Sequence, residues 1–156
     1  VLTMDTRSFL YKELFEDLTQ NEIIFGRGAL GVYYSAYFYN WSMYYYGGDS
    51  EYRSVNEIGF LHIILKGGGL MLMLYLLILI PAAYLGIFKS NNMLAKMCGA
   101  FILSYLILWF VSYLPAYSAE YILLWMAVGT SISSRTRLMT DNDIKNIYFK
   151  KIVNVS

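Results

Sequence analysis

The chain has 156 residues, 58% of them hydrophobic and 15% charged, with a net charge of +1 and a mean hydropathy of +0.45. A soluble domain carries charge on about a quarter of its residues, so this composition points away from an ordinary water-soluble protein. The balanced charge leaves no basic face for nucleic acid, and Cys98, the single cysteine, excludes an internal disulfide and a CxxC metal or redox site.

Over residues 5–18, Leu10, Tyr11, Leu14, Phe15 and Leu18 recur at helical spacing, with Lys12, Glu13, Glu16 and Asp17 on the other side. This predicts an amphipathic helix capped by Asp5 or Thr6, its apolar stripe packed on the rest of the protein or laid on a lipid surface. Residues 23–31 form an apolar run in which three glycines surround Arg27. Gly26 and Gly28 permit positive φ and close approach of the backbone to a ligand, with Arg27 presented on a tight turn. A plain turn with an exposed arginine is the alternative. Between Val32 and Tyr52 lie eight tyrosines, with Phe38 and Trp41 among them. Such rings stack on sugar faces or form an aromatic belt at the lipid headgroups.

Ser54, with Glu57 three residues on, fits a capping box that opens a helix through Ile58, Leu61, Ile64 and Leu65 to the glycines at 67–69. Glu57 then either holds the Ser54 amide or acts as a chemical carboxylate beside Arg53. His62 lies about 140° round the helix from Glu57, so the two do not share a face. A structural histidine and a catalytic one both remain open.

The stretch 67–88 carries no charge and, at 1.5 Å per residue, is long enough to cross a bilayer core. Apolar segments at 94–114 and 116–134 follow, which predicts three transmembrane helices over 68–134, with Pro81 tolerated as a kink in the first. Lys89 and Lys96 occupy the first connection, and Arg135, Arg137, Lys145, Lys150 and Lys151 face only Asp141 and Asp143 after the third segment. By the positive-inside rule both regions are cytoplasmic, which puts 1–67 on the outer face and makes 135–156 a cytoplasmic tail. The expected fold is therefore an all-α membrane protein, an external helical loop region followed by three transmembrane helices. With no signal peptide ahead of an outward-facing segment, the chain reads as the C-terminal piece of a larger polytopic bundle. Asp141-Asn142-Asp143 has the form of a DxD motif but is expected to cap a tail helix. No His/Asp cluster suggests a metal, and no cofactor is expected.

In order, the chain presents Arg7 at the head of an amphipathic helix, the Gly26-Arg27-Gly28 turn, a tyrosine-rich stretch, and Glu57-Ile-Gly-Phe-Leu-His-Ile-Ile-Leu-Lys-Gly-Gly running into an apolar segment. Over about residues 5–90 this resembles the large periplasmic loop and closing helices of the O-antigen ligase and polymerase superfamily. Glu57-Ile58 stands where members of that family carry a His-Asn pair, whereas Phe60, Leu61, Leu65 and Gly68 keep to the pattern. Because the ligases rely on that histidine, the departure tilts the resemblance toward a polymerase.

The resemblance implies a bacterial inner-membrane glycosyltransferase that moves a glycan from undecaprenyl pyrophosphate to a sugar hydroxyl of another lipid-linked repeat unit. Membrane lipid and a polysaccharide chain-length regulator are the further partners it suggests. Arg7, Arg27 and Arg53 are the residues expected to hold pyrophosphate, since arginine offers a permanent charge and a bidentate fork. Glu57 is the expected base, with His62 and Glu22 behind it. The rivals are an O-antigen ligase that delivers glycan to lipid A core, and a non-catalytic membrane subunit whose arginines pair with nearby acids. A transporter ranks last, because no span carries an ionisable residue at mid-membrane.

Overall fold

The computed structural model describes residues 8–46, 51–111 and 118–153. Helix α1, Ser8–Asp17, turns Leu10 and Leu14 fully inward, and Leu18 continues the stripe one turn on. Helix α2, Gln20–Phe25, opens at a capping box. The Thr19 hydroxyl accepts from the Glu22 amide at 3.4 Å, and the Glu22 carboxylate accepts from the Thr19 amide at 2.9 Å.

Strands β1, Tyr33–Tyr34, and β2, Tyr52–Arg53, flank helix α3, Ala36–Tyr46, in the sequence. They pair antiparallel, Tyr33 opposite Arg53 and Tyr34 opposite Tyr52. This small ribbon is an addition to the all-helical expectation. Two-residue strands carry no periodic signal, and their pairing is created by tertiary contact.

Helix α4, Gly59–Phe88, is the long apolar element. It is interrupted at Gly68, whose φ of +68° and ψ of −174° are not helical, whereas Pro81 stays within the helix. Two shorter apolar helices follow, α5, Met93–Leu108, and α6, Ala119–Ile132. Their 16 and 14 residues fall short of the segments expected at 94–114 and 116–134. At 1.5 Å per residue they reach about 24 and 21 Å, against about 30 Å for a hydrocarbon core. Helices α7, Ser134–Leu138, and α8, Asp141–Val153, close the described chain.

Two compact units result, Val1–Tyr75 with Trp109–Tyr113 and Leu76–Leu108 with Leu114–Ser156. The core of the first unit gathers Leu10, Leu14 and Leu18, Tyr33 of β1, and Ile58, Leu61, Ile64 and Leu65 at the start of α4. In the second, Gly86 and Gly99 meet backbone to backbone. A Cβ on Gly99 would lie 2.7 Å from the Ile87 nitrogen, so no larger residue fits without separating the helices. The loop after α4 is tied to the segment around α7 by Asn92, whose Nδ2 donates to the Thr136, Arg137 and Met139 carbonyls at 2.9, 3.2 and 3.0 Å. Its Oδ1 accepts from the Ala95 amide at 2.8 Å and caps α5.

In the most apolar window of α4 only 22% of the helix is buried. A core helix of a soluble protein is mostly covered. Leu74, Leu77, Ile80 and Phe88 are all exposed.

Candidate functional site

The Gly26-Arg27-Gly28 turn closes against the break in α4. Helix interruption at Gly68 frees the carbonyls of the preceding turn, and two of them find donors at once. The Arg27 amide donates to Leu65 O at 2.8 Å, and the Gly28 amide donates to Lys66 O at 2.9 Å. Gly26 and Gly28 adopt φ of +74° and +80°. A Cβ on Gly26 would lie 2.5 Å from Gly67 N, and one on Gly68 would lie 2.1 Å from Ile24 O. The close approach expected of these glycines is thus made to the backbone of the neighbouring helix.

Arg27, expected to be offered to pyrophosphate, is instead held within the fold. Its Nε donates to Glu22 Oε1 at 3.0 Å, and Nη2 donates to Glu22 Oε2 at 3.2 Å and to Asp17 O at 2.6 Å. Nη1 donates to the Asp17 carboxylate and, at 2.7 Å, to Val32 O. A guanidinium has five N–H donors, and each has a protein acceptor. The Arg27 hydrogen bonds, then those of Thr19, hold the Glu22 carboxyl down at about 2. The same pairing raises Arg27 above its ordinary value. Glu22, a reserve base in the sequence reading, is committed to this bridge.

Arg53 and Glu57 come together. Arg53 Nη2 donates to Glu57 Oε1 at 3.0 Å, and the Arg53 guanidinium lies 5.1 Å from the centre of the Phe38 ring. The arginine side chain is 14% exposed and the glutamate 68%, so the carboxylate faces outward from a partly buried cationic partner. The expected Ser54 capping box does not open α4. Instead Asn56, fully buried, accepts from the Ile58 amide at 3.0 Å through Oδ1, and the helix begins at Gly59. Asn56 Nδ2 reaches the hydroxyl of buried Tyr33 at 3.4 Å.

His62 Nδ1 accepts from the Asn56 amide at 3.3 Å, which assigns the ring proton of the neutral form to Nε2. Burial, then the charge of Lys66, lowers His62 to about 4. The ring is neutral across the physiological range. Lys66 is itself lowered by burial, and its Nζ donates to Gly31 O at 2.8 Å. Asn56 and Lys66 went unremarked in the sequence. An Asn three residues ahead of a helix start is the signal for the first, whereas the acceptor of the second is 35 residues away.

Arg7, and the expected caps Asp5 and Thr6, lie outside the described residues. Tyr34, Tyr37, Tyr44, Tyr45 and Tyr52 are exposed, with Tyr34 and Tyr52 edge to face at 6.2 Å across the ribbon. Asp143 accepts from the Thr140 amide and hydroxyl at 3.0 and 2.7 Å at the start of α8. Asp141 accepts from the Met93 amide at 2.8 Å. Both aspartates of the DxD-like triplet therefore bond helix-starting backbone. Among the described residues no three His, Cys, Asp or Glu side chains gather to hold a metal.

Compared with protein-family models, with curated proteins and with solved structures, the chain matches none.

Proposed function

We propose that the chain is the closing part of a membrane-embedded glycosyltransferase that polymerises lipid-linked oligosaccharide repeat units. In this reading residues 69–88 cross the bilayer, α5 and α6 complete the lipid-embedded part, residues 1–67 face outward, and the region after α6 is cytoplasmic. The break at Gly68 leaves about 20 residues after it, about 30 Å of helix, which matches a hydrocarbon core. Their largely uncovered apolar surface supports the same reading.

The observation that carries the proposal is the Arg53–Glu57 pair, 3.0 Å apart and just ahead of that helix. The acceptor hydroxyl oxygen attacks the anomeric carbon of the donor sugar, and the bond from that carbon to the pyrophosphate oxygen breaks. Its electron pair leaves with undecaprenyl pyrophosphate, and Glu57 takes the hydroxyl proton. Arg53 stabilises the charge that develops on the pyrophosphate. The exposed tyrosines around β1, β2 and α3 supply stacking faces for the sugars. Neutral His62, bonded to the Asn56 amide, stays in reserve as a second proton acceptor in this reading, and a chain-length regulator is the partner this activity would call for.

Glu57→Gln and Arg53→Ala in the full-length protein test the reading by the length distribution of polysaccharide in cells. Accumulation of single repeat units in both variants is the expected result. Long chains surviving both changes would favour a non-catalytic subunit of a polysaccharide assembly. That second reading draws on one observation, the pairing of Arg27 and Arg53 with acids. A ligase differs in its acceptor and would leave chain length unchanged while abolishing attachment to lipid A core.

A further inference from the structure

We infer that the end of the second unit formed by the loop after α4 and the segment from α7 into α8 is a docking surface for anionic phospholipid headgroups. The inference rests on the membrane reading above and names the lipid that reading leaves open. Lys89, Lys96, Arg135 and Lys145 are all exposed there. The loop and the later segment are bound into one body. The Asn91 amide donates to Arg137 O at 2.9 Å, Arg137 Nη1 donates to Lys89 O at 3.0 Å, and Asn92 makes its three carbonyl bonds across the same junction.

The two acids of this region, Asp141 and Asp143, offset only part of the charge of Lys89, Lys96, Arg135, Arg137 and Lys145 and leave it net positive. Asp141 is turned to the Met93 amide, and Asp143 to Thr140, whose hydrogen bonds lower it below its ordinary value. Among the described residues no ion pair involves Lys89, Lys96, Arg135 or Lys145; those present all lie within residues 12–57. Beside the cations, Phe88, Met93, Met97 and Leu138 expose apolar side chains. A positive rim beside exposed apolar helix ends complements a negatively charged headgroup layer above acyl chains. A soluble anion would satisfy the charges but leave the apolar neighbours in water. This combination selects the lipid as occupant.

The full-length protein is reconstituted into bilayers containing spin-labelled phosphatidylglycerol or spin-labelled phosphatidylcholine, and the motionally restricted fraction of each label is compared. Each cation near an anionic surface strengthens association roughly five-fold. The phosphatidylglycerol label is therefore expected to be preferred by at least ~5-fold, with the preference lost in high salt. The fourfold variant Lys89→Gln, Lys96→Gln, Arg135→Gln, Lys145→Gln should retain a restricted fraction with no preference. Equal restriction of the two labels by the wild type overturns the inference, as does a preference that survives in the variant. Loss of the preference on adding inorganic phosphate at fixed ionic strength also overturns it, in favour of a free-anion site. Absence of a restricted fraction for either lipid strikes instead at membrane insertion, which separates failure of the underlying reading from failure of this one.

Discussion

Arg27 joins three pieces of chain that are separate in sequence: the end of α1 through Asp17, the start of α2 through Glu22, and Val32 ahead of β1. Arg27→Ala takes the charged donor from two carboxylates, which keep only the Thr19 and Tyr34 donors, and from the Asp17 and Val32 carbonyls. Because the arginine side chain keeps 21% exposure, solvent screening holds the loss under the about 3–5 kcal/mol of a fully buried pair. A destabilisation of about 2 kcal/mol is expected, measured by denaturant unfolding in detergent. Arg27→Lys keeps the charge but loses the planar fork, and should recover less than half of that loss.

The acid side of the stability profile follows from two residues. Glu22 falls from the usual carboxyl value of 4.5 to about 2 in the fold, chiefly through Arg27. Its contribution is complete above 4.5 and disappears as pH falls toward 2. His62 falls from 6.5 to about 4 because burial disfavours its charged form. The unfolded chain then takes up the proton first, so this contribution is complete above 6.5 and is lost between 6.5 and 4. Stability should therefore start to decline below pH 6.5. His62→Gln should remove the upper step and Glu22→Gln the lower, with NMR titration of each side chain as the direct check.

At the level of elements, the glycines of the turn separate two physical demands. Gly28 needs its positive φ but has open space where a Cβ would go, so Gly28→Ala should cost only about 1–2 kcal/mol. Gly26 and Gly68 need both the dihedral and the space, and Ala at either would drive into main-chain atoms. Thermal unfolding should rank Gly28→Ala well above the other two in midpoint. Equal midpoints for all three variants would mean that the turn does not close on α4.

The stripe of α1 was legible because 3.6-residue periodicity is local, and the long apolar helix was legible from composition alone. The capping box was not, since Thr19 with Glu22 and Ser54 with Glu57 match the same pattern. What separates them is that Glu57 has Arg53 as a competing partner, a fact of the folded chain. The turn at Arg27 was recognisable as a turn, but its partners Asp17, Leu65 and Lys66 lie 10 to 39 residues away, beyond any local signal. The break at Gly68 rather than at Pro81 was hidden for the same reason. It is stabilised from outside the helix.

For the molecule as a whole, the proposed topology gives an experiment that does not depend on catalysis. In a Cys98→Ser background, a single cysteine at Lys12, whose side chain is 75% exposed, should react with a membrane-impermeant maleimide in intact cells. One at Lys145 should react only after permeabilisation. Labelling of position 12 solely after permeabilisation would put the Arg53–Glu57 pair on the wrong side for a lipid-linked glycan delivered outside the cytosol.

The seam at the α4 break is built from amides and carbonyls on both sides, and such a joint is indifferent to the identity of most surrounding side chains. The exposed rings at Tyr34, Tyr37, Tyr44, Tyr45 and Tyr52 can therefore be exchanged without disturbing the joint, whereas Tyr33 and Ser35, fully buried on either side of Tyr34 in sequence, cannot. Surface chemistry and joint are thereby uncoupled, and Gly26 and Gly68, where a Cβ would meet main-chain atoms, are the two places at which the joint admits no side chain.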